Sequence, residues 1–125
     1  SPSKDVDKRN RVGETPLITA AKKGQVEVCR DLLARGANVN AADYAGWTAI
    51  HEAISRRHLE CATLLLSAGA DVNAASTDGT RAIHDAVFQG NPTMISLLLS
   101  YNPCLDAVNG KGRTPYDLAQ SEEVR

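Results

Sequence analysis

The sequence is poor in aromatic residues, which make up 4% of its 125 positions and include a single Trp. It also lacks an excess of one charge, because 14 basic side chains are balanced by 15 acidic ones. This balance argues against a general electrostatic attraction to nucleic acid or to anionic membranes. No apolar run approaches the length of a membrane span, and no signal peptide is visible. The core is therefore expected to be aliphatic and rich in alanine, as in a protein of small, closely packed helices.

Cysteine is scarce and its spacing matches no metal site. Cys29, Cys61 and Cys104 are far apart and form no C-x-x-C pair, which predicts free thiols in a reducing, intracellular compartment. Cys29 and Cys61 are expected at packing positions and Cys104 in an exposed stretch. The sequence also has no phosphate-binding loop and no nucleophile beside a base. We therefore expect neither an enzyme nor a bound metal or cofactor.

An internal period of 33 residues organises the chain. Three positions recur at this spacing in four units: Gly13, Gly46, Gly79 and Gly112; Leu17, Ile50, Ile83 and Tyr116; Ala20, Ala53, Ala86 and Ala119. Such a period is the signature of a repeat protein, in which neighbouring units stack to bury their apolar faces. The predicted units are 10–42, 43–75, 76–108 and 109–125, the last of them truncated. Residues 1–9 are expected to be disordered or to form an edge segment outside the repeat domain.

Each unit has the same predicted local structure. A glycine-containing turn precedes a short helix, which begins at a Thr-Pro pair such as Thr15-Pro16 because Thr caps the first amides and Pro suits the first turn. Gly24 and Gly90 end the first helix in two units, where a left-handed residue is needed. A second helix follows, for example over 26–34, and an extended stretch leads to the next turn.

These motifs resemble the ankyrin repeat. The family pattern G-x-T-P-L-H is matched by Gly13-Glu14-Thr15-Pro16-Leu17 and by Gly46-Trp47-Thr48-Ala49-Ile50-His51, and the G-A-D-V-N ending is matched at residues 69–73. The resemblance covers about residues 10–121. It implies an all-α solenoid of three full repeats plus a truncated fourth, with short hairpin-like fingers and a concave face. It also implies a protein–protein interaction module.

Several residues allow both a structural and a functional interpretation. His51 and His84 resemble a catalytic or metal-binding pair, but the family position favours a hydrogen-bonded histidine that bridges adjacent repeats. Arg57 replaces the glycine that ends the first helix and is expected in the left-handed conformation. It belongs to a basic group, residues 56–58, which is either a solvated turn or a partner contact. Asn102-Pro103 is expected to end a helix, since Asn tolerates the left-handed region.

Four acidic residues are predicted to surround Trp47 on the concave face: Glu14, Asp43, Glu52 and Asp85. A Trp ring attracts cations, and carboxylates supply charge-assisted hydrogen bonds. This surface therefore suits a Lys, Arg or His side chain of an extended basic peptide. The alternative is that the acids are ordinary solvated residues, because Asp at the first repeat position is common for turn chemistry alone.

A finer resemblance links the chain to a nuclear subgroup of ankyrin domains, through Asp43-Tyr44-Ala45-Gly46-Trp47-Thr48, His51-Glu52-Ala53 and His84-Asp85-Ala86. The subgroup contains the tonsoku-like protein, the BRCA-associated RING domain protein, the SMC-complex localisation factor and the BCL-six corepressor. In the first two, residues matching Glu14, Asp43, Trp47, Glu52 and Asp85 bind the histone H4 tail around an unmethylated lysine. Ser55 and Gln89 depart from the subgroup pattern at two further contact positions.

The finer resemblance implies a monomeric nuclear domain of a chromatin or DNA-repair protein, with no direct nucleic-acid or membrane binding. The alternative is a generic scaffold or adaptor that docks a folded partner, of the corepressor or ubiquitin-ligase receptor type. In that case the fingers and the second-helix surfaces would matter more than the acidic residues.

Overall fold

The computed structural model describes residues 6–118, and these residues form stacked helix pairs. The helices are α1 (Pro16–Lys23), α2 (Val26–Ala34), α3 (Ala49–Ser55), α4 (Leu59–Ser67), α5 (Ala82–Gln89) and α6 (Pro92–Leu99), and a further helical turn covers 115–118. Isolated antiparallel bridges, Ala42 with Thr48 and Ala75 with Arg81, close the bases of two fingers. No helix within 6–118 is long and apolar enough to cross a membrane. The prediction of an all-α repeat solenoid is confirmed.

The predicted start and stop signals of the helices are confirmed. The Thr15 hydroxyl accepts a hydrogen bond from the Ile18 amide at 3.3 Å at the start of α1, and the helix ends at Gly24 with φ 73°. Arg57, after α3, has φ 65°, so a non-glycine residue holds the left-handed conformation there. Asn102, after α6, holds it with φ 55°. The strain of such a conformation is small for Asn and larger for Arg.

The core runs along the row of first helices, where α1 packs on α3 and α3 on α5. Leu17, Ile50 and Ile83 occupy the same position of successive units and are almost fully buried. The alanines at the predicted spacing, Ala20, Ala53 and Ala86, are buried beside them, and their small side chains let the helices approach closely.

In the row of second helices, α2 packs on α4, and the buried thiols Cys29 and Cys61 contact each other there. The expectation of an aliphatic, alanine-rich core is confirmed.

The amino-terminal boundary expected at residue 10 needs correction. Val6 is only 2% exposed and belongs to the core, and the Asp7 carboxylate accepts a hydrogen bond from the Asn38 amide at 3.0 Å. Arg9 donates to the Gly13 carbonyl at 2.8 Å and also to that of Ala42. Residues 6–9 therefore pack on the repeats and are not disordered. No repeat motif covers them, but they are held by the burial of Val6 and by the hydrogen bonds of Asp7 and Arg9. Residues 1–5 and 119–125, including Ala119, lie outside the described part of the chain.

His51 and His84 tie each unit to the next. His51 Nδ1 accepts the Thr48 amide hydrogen at 3.0 Å, and Nε2 lies 3.1 Å from the Thr80 carbonyl oxygen in the following finger. A carbonyl only accepts, so Nε2 carries the proton and the ring is neutral. His84 repeats the arrangement with the Arg81 amide and the Ala107 carbonyl. The structural interpretation of these histidines is confirmed, and burial lowers the pKa of His51.

Candidate functional site: the concave face around Trp47

The second finger holds Trp47 in a fixed position. The Asp43 carboxylate accepts hydrogen bonds from the Ala45 and Trp47 amides, both at 2.9 Å, and the Asp43 amide donates to the Trp47 carbonyl at 2.8 Å. This is the turn chemistry expected of an aspartate at this position. The Trp47 ring packs edge-on against His51, with ring centroids 4.8 Å apart. The indole is therefore anchored on the structural histidine while part of it stays exposed.

Three of the predicted carboxylates converge beside the finger. One carboxylate oxygen from each of Glu14, Asp43 and Glu52 lies within 4.8 Å of the other two. Glu14 precedes the cap of α1, Asp43 begins the second finger, and Glu52 lies in the first turn of α3. These three residues, called the acidic cluster below, come from two repeat units. Their meeting depends on the stacking of α1 against α3 and was predicted from the repeat register.

A lysine that sequence reasoning missed lies in the acidic cluster. Lys22 Nζ, at the end of α1, is 2.6 Å from Glu14 Oε2, and the other Glu14 oxygen accepts a hydrogen bond from the Asn10 side-chain amide at 3.0 Å. The Lys22 ammonium, helped by Asn10, holds the pKa of Glu14 below its usual value. The same pairing raises the pKa of Lys22. The three carboxylates could in geometry hold a metal ion, but Lys22 already supplies a positive charge there.

An arginine also neutralises part of the acidic cluster. Arg56 directly follows α3, and its Nε lies 3.7 Å from Oε1 of Glu52, one helical turn earlier. Oppositely charged residues four positions apart commonly form an ion pair on a helix, so this contact could be predicted from the sequence. The Arg56 side chain is 53% exposed and the Glu52 side chain 13% exposed. Burial raises the pKa of Glu52, while the Lys22 and Arg56 charges oppose the rise.

Asp85 lies one unit further along, in the first turn of α5, and is poorly solvated. Its Oδ2 atom is buried and accepts no hydrogen bond from any residue between 6 and 118. Burial, aided by the negative charges of Asp78 and Glu52, raises the pKa of Asp85 from 3.8 to about 6. A desolvated carboxylate without a partner destabilises the fold. For the same reason, a cation that arrives on this face would find the Asp85 charge unpaired.

Replacing Asp85 with asparagine is expected to stabilise the protein at alkaline pH. Because the folded-state pKa is raised, ionised Asp85 opposes folding above that pKa, and the penalty disappears as the pH falls towards 4. Asp85→Asn removes the charge, so we expect a gain of about 2 kcal/mol in the free energy of unfolding near pH 8 and almost none near pH 4. Urea denaturation at both pH values measures this difference. Asp106→Asn, at an exposed carboxylate, is the matched control; equal effects of the two substitutions would refute the assignment.

Ser55 and Gln89, the two departures from the subgroup pattern, contact each other. Gln89 Nε2 on α5 donates to the backbone carbonyl of Ser55 at the end of α3, at 2.9 Å. Gln89 Oε1 is buried and has no hydrogen-bond donor in the described range, whereas Ser55 is exposed. The glutamine thus bridges neighbouring first helices, a contact that the sequence pattern did not indicate because it uses a backbone atom.

Comparison with known families gives two matches. A family model described as "Ankyrin repeats (3 copies)" matches residues 2–76. A second, described as "Ankyrin repeats (many copies)", matches residues 56–99. The first match covers more than half of the chain and includes the whole acidic cluster and Trp47.

Three curated proteins are similar to part of the chain. They are ankyrin repeat domain-containing protein 31 of Homo sapiens, 38% identical over 47 residues, NF-kappa-B inhibitor delta of Mus musculus, 40% identical over 48 residues, and protein fem-1 homolog A-like of Mus musculus, 44% identical over 48 residues. Each match covers 38% of this chain but only 2%, 15% and 7% of the respective relative. The similarity therefore extends to a small part of each relative's length.

Proposed function

We propose that this chain, which belongs to the ankyrin-repeat family, uses the concave face around Trp47 to bind an extended basic peptide of a protein partner. Ankyrin repeats are protein–protein interaction modules and are generally not enzymes, so protein binding is the function that the family supports. The convergence of Glu14, Asp43 and Glu52 next to the finger that carries Trp47 is the observation that favours a basic peptide.

The proposed recognition combines an aromatic surface with partly buried negative charge. Trp47 is half-buried and held in place, so little conformational entropy is lost when a cation packs on its ring. Glu52 is mostly shielded from water, which strengthens its interaction with an incoming ammonium or guanidinium. Asp85 adds a carboxylate whose charge is unpaired in the described structure. A peptide that runs along the first helices would pass these groups in turn.

The histone H4 tail around an unmethylated lysine is the specific peptide we propose. The five residues that match the histone-binding members of the subgroup all lie on the first helices or the fingers that precede them. A lysine side chain reaching the face beside Trp47 would meet Glu52 and Asp85. The bridge from Gln89 to Ser55 lies at the carboxyl end of α3, so it would bound the lysine site on that side. A nuclear location and a role in chromatin or DNA repair are part of the same proposal.

Neutralising Glu52 tests the peptide proposal. We expect Glu52→Gln to weaken binding of an unmodified H4 tail peptide roughly tenfold at low salt, because one charge-assisted contact is lost. Isothermal titration at two salt concentrations measures this loss, and the difference from wild type is expected to shrink as salt screens the charge. A peptide with its lysines replaced by glutamine is expected to bind neither protein.

Glu60→Gln is the matched control for this experiment. Glu60 is an exposed glutamate in the first turn of α4, so it occupies a similar helical position in the row of second helices. We expect its substitution to leave peptide affinity within twofold of wild type. The proposal would be wrong if Glu52→Gln and Glu60→Gln gave the same affinity, or if the wild type did not bind the lysine-containing peptide.

Docking of a folded partner through the second helices is the second candidate function. A groove of about 380 Å³ lies between α2 and α4 and contains the side chains of Val26, Leu59 and Leu64. Leu59 is 39% exposed and Val28, on the same helix as Val26, is 44% exposed. Apolar side chains on this surface favour contact with a folded protein over contact with a charged peptide. A cross-linking map that places the partner on α2 and α4 would favour this candidate.

A further inference from the structure

Lys22 is held inside the acidic cluster by a short ion pair. Its ammonium nitrogen is 2.6 Å from Glu14 Oε2, and the side chains of Lys22 and Glu14 are 32% and 9% exposed. Since Asn10 donates to the second Glu14 oxygen, both oxygens of this carboxylate already have donors. Breaking a shielded pair of this kind leaves a poorly solvated charge behind, so Lys22 is expected to stay in place when a peptide arrives.

Arg56 makes a looser contact on the other side of the cluster. Its Nε atom is 3.7 Å from Glu52 Oε1, and its side chain is 53% exposed. A pair at this distance, whose cationic side chain is largely exposed to solvent, contributes little free energy, so a ligand cation can displace Arg56 from Glu52 at small cost. The two internal cations thus divide the cluster into a closed side at Glu14 and an accessible side at Glu52, next to Trp47.

We propose that Lys22 is a specificity-determining residue, a built-in counterion that neutralises Glu14, directs an incoming cationic side chain to Glu52, and limits the affinity of the face for strongly basic peptides. This inference rests on the proposed peptide-binding function. Two of the three carboxylates of the acidic cluster have cationic partners, Glu14 in Lys22 and Glu52 in Arg56, whereas Asp43 has none among residues 6–118. The cluster therefore keeps one unbalanced negative charge, which suits a single ligand cation better than two consecutive ones.

Removing the Lys22 charge tests this role. Lys22→Met keeps an apolar side chain of similar length and exposes the Glu14 carboxylate to the ligand. We expect it to raise the affinity for the unmodified H4 tail peptide about fivefold at low salt. Lys23→Met removes the same charge from the adjacent, exposed position, and its affinity is expected to stay within twofold of wild type. Equal affinities for the two variants, or weaker binding by Lys22→Met, would overturn the proposal.

A double variant separates the counterion role from a direct contact of Lys22 with the peptide. Glu14→Gln combined with Lys22→Met removes both charges of the pair, so the gain in affinity expected for Lys22→Met alone should disappear, because that gain depends on the freed Glu14 carboxylate. A direct contact would instead weaken binding in both the single and the double variant, and that result would overturn the proposal. The double variant also leaves no unpaired buried charge, which protects the experiment against a loss of folding.

Two measurements keep this inference distinguishable from the peptide-binding function itself. Carboxyl titration of Glu14 by NMR needs no ligand: its pKa is expected to rise in Lys22→Met, and an unchanged pKa would overturn the ion pair on which the inference depends. Binding that Glu52→Gln weakens but Lys22→Met leaves unaltered would refute only the Lys22 role. Absence of peptide binding by wild type would refute the function, whatever Lys22 does.

Discussion

Replacing Trp47 with alanine is expected to weaken binding of the basic peptide about 30-fold, the largest binding effect we predict. Partly buried tryptophans at the centre of an interface commonly contribute this much, because they combine a large apolar area with a specific polar or cation contact. Here the ring is fixed by its edge-on packing against His51. Truncation would remove the cation-binding surface and leave the neighbouring carboxylates more exposed to water.

The measurement can use the chain's own fluorescence in the wild type, since Trp47 is its only tryptophan, and calorimetry in the variant. Tyr101→Ala is a suitable control, because it removes an aromatic ring that lies just after α6 in the row of second helices. We expect that variant to bind as wild type does. A thermal melt checks that both variants are folded. Retention of wild-type affinity by folded Trp47→Ala would show that the peptide binds elsewhere.

Replacing His51 with alanine is expected to give the largest loss of stability, about 4 kcal/mol, because a fully buried ring is lost and the buried Thr48 amide is left without an acceptor. The ring is fully buried. Without it, the Thr48 amide has no acceptor at the start of α3, and the Thr80 carbonyl keeps only the hydrogen bond from the Ser76 amide of its own finger. A loss of this size is a large fraction of the stability of a small domain. Urea denaturation followed by circular dichroism measures it.

His58→Ala is the matched control for His51. His58 is half-buried, and its side chain makes one hydrogen bond, from Nε2 to the Lys22 carbonyl at 3.2 Å. Its loss is expected to cost about 1 kcal/mol. Similar losses for the two histidines would contradict the role assigned to the bridge between units.

The pH dependence of stability provides a further check on His51. Burial holds its folded-state pKa below the ordinary value of 6.5, so the neutral ring favours folding above pH 6.5 and the contribution is lost as the pH falls from 6.5 towards the lowered pKa. The difference in stability between wild type and His51→Ala is therefore expected to narrow on acidification through this window. A constant difference across the window would contradict a neutral, desolvated ring.

The fold was predictable from sequence because its determinants are local and periodic. Gly, Leu or Ile, and Ala recur at fixed positions, and a Thr or Asn with a following Pro marks helix starts at α1 and α6. Even the exceptional left-handed Arg57 followed from its position in the period. Val6 was missed because it lies before the first motif and is buried by tertiary contacts that no local pattern signals.

The acidic side of the candidate site was predictable, but its positive side was predicted poorly. The repeat register was sufficient to bring Glu14, Asp43 and Glu52 together, since their three repeat positions all lie on the concave side and stacked units are neighbours. Arg56 could have been identified from its spacing to Glu52. Lys22 could not, because its contact with Glu14 crosses from the end of α1 to the residue before its cap and depends on side-chain conformation. A prediction that considers only the acidic residues therefore overestimates the negative charge of this face, because Lys22 and Arg56 neutralise part of it.

The hydrogen bond from His51 to Thr80 also bears on how the recognition surface could be transplanted or inherited. Trp47 rests on a ring that is oriented by a carbonyl of the following unit, while the acidic cluster draws Glu14 and its lysine from the preceding one. A single unit grafted into another array would carry the tryptophan without the groups that orient and balance it. On the proposed function, the structural unit of specificity is therefore a block of three repeats, although the folding pattern repeats every 33 residues. Duplication or loss of one repeat within this block would separate Trp47 from the groups that orient it and from the acidic cluster beside it.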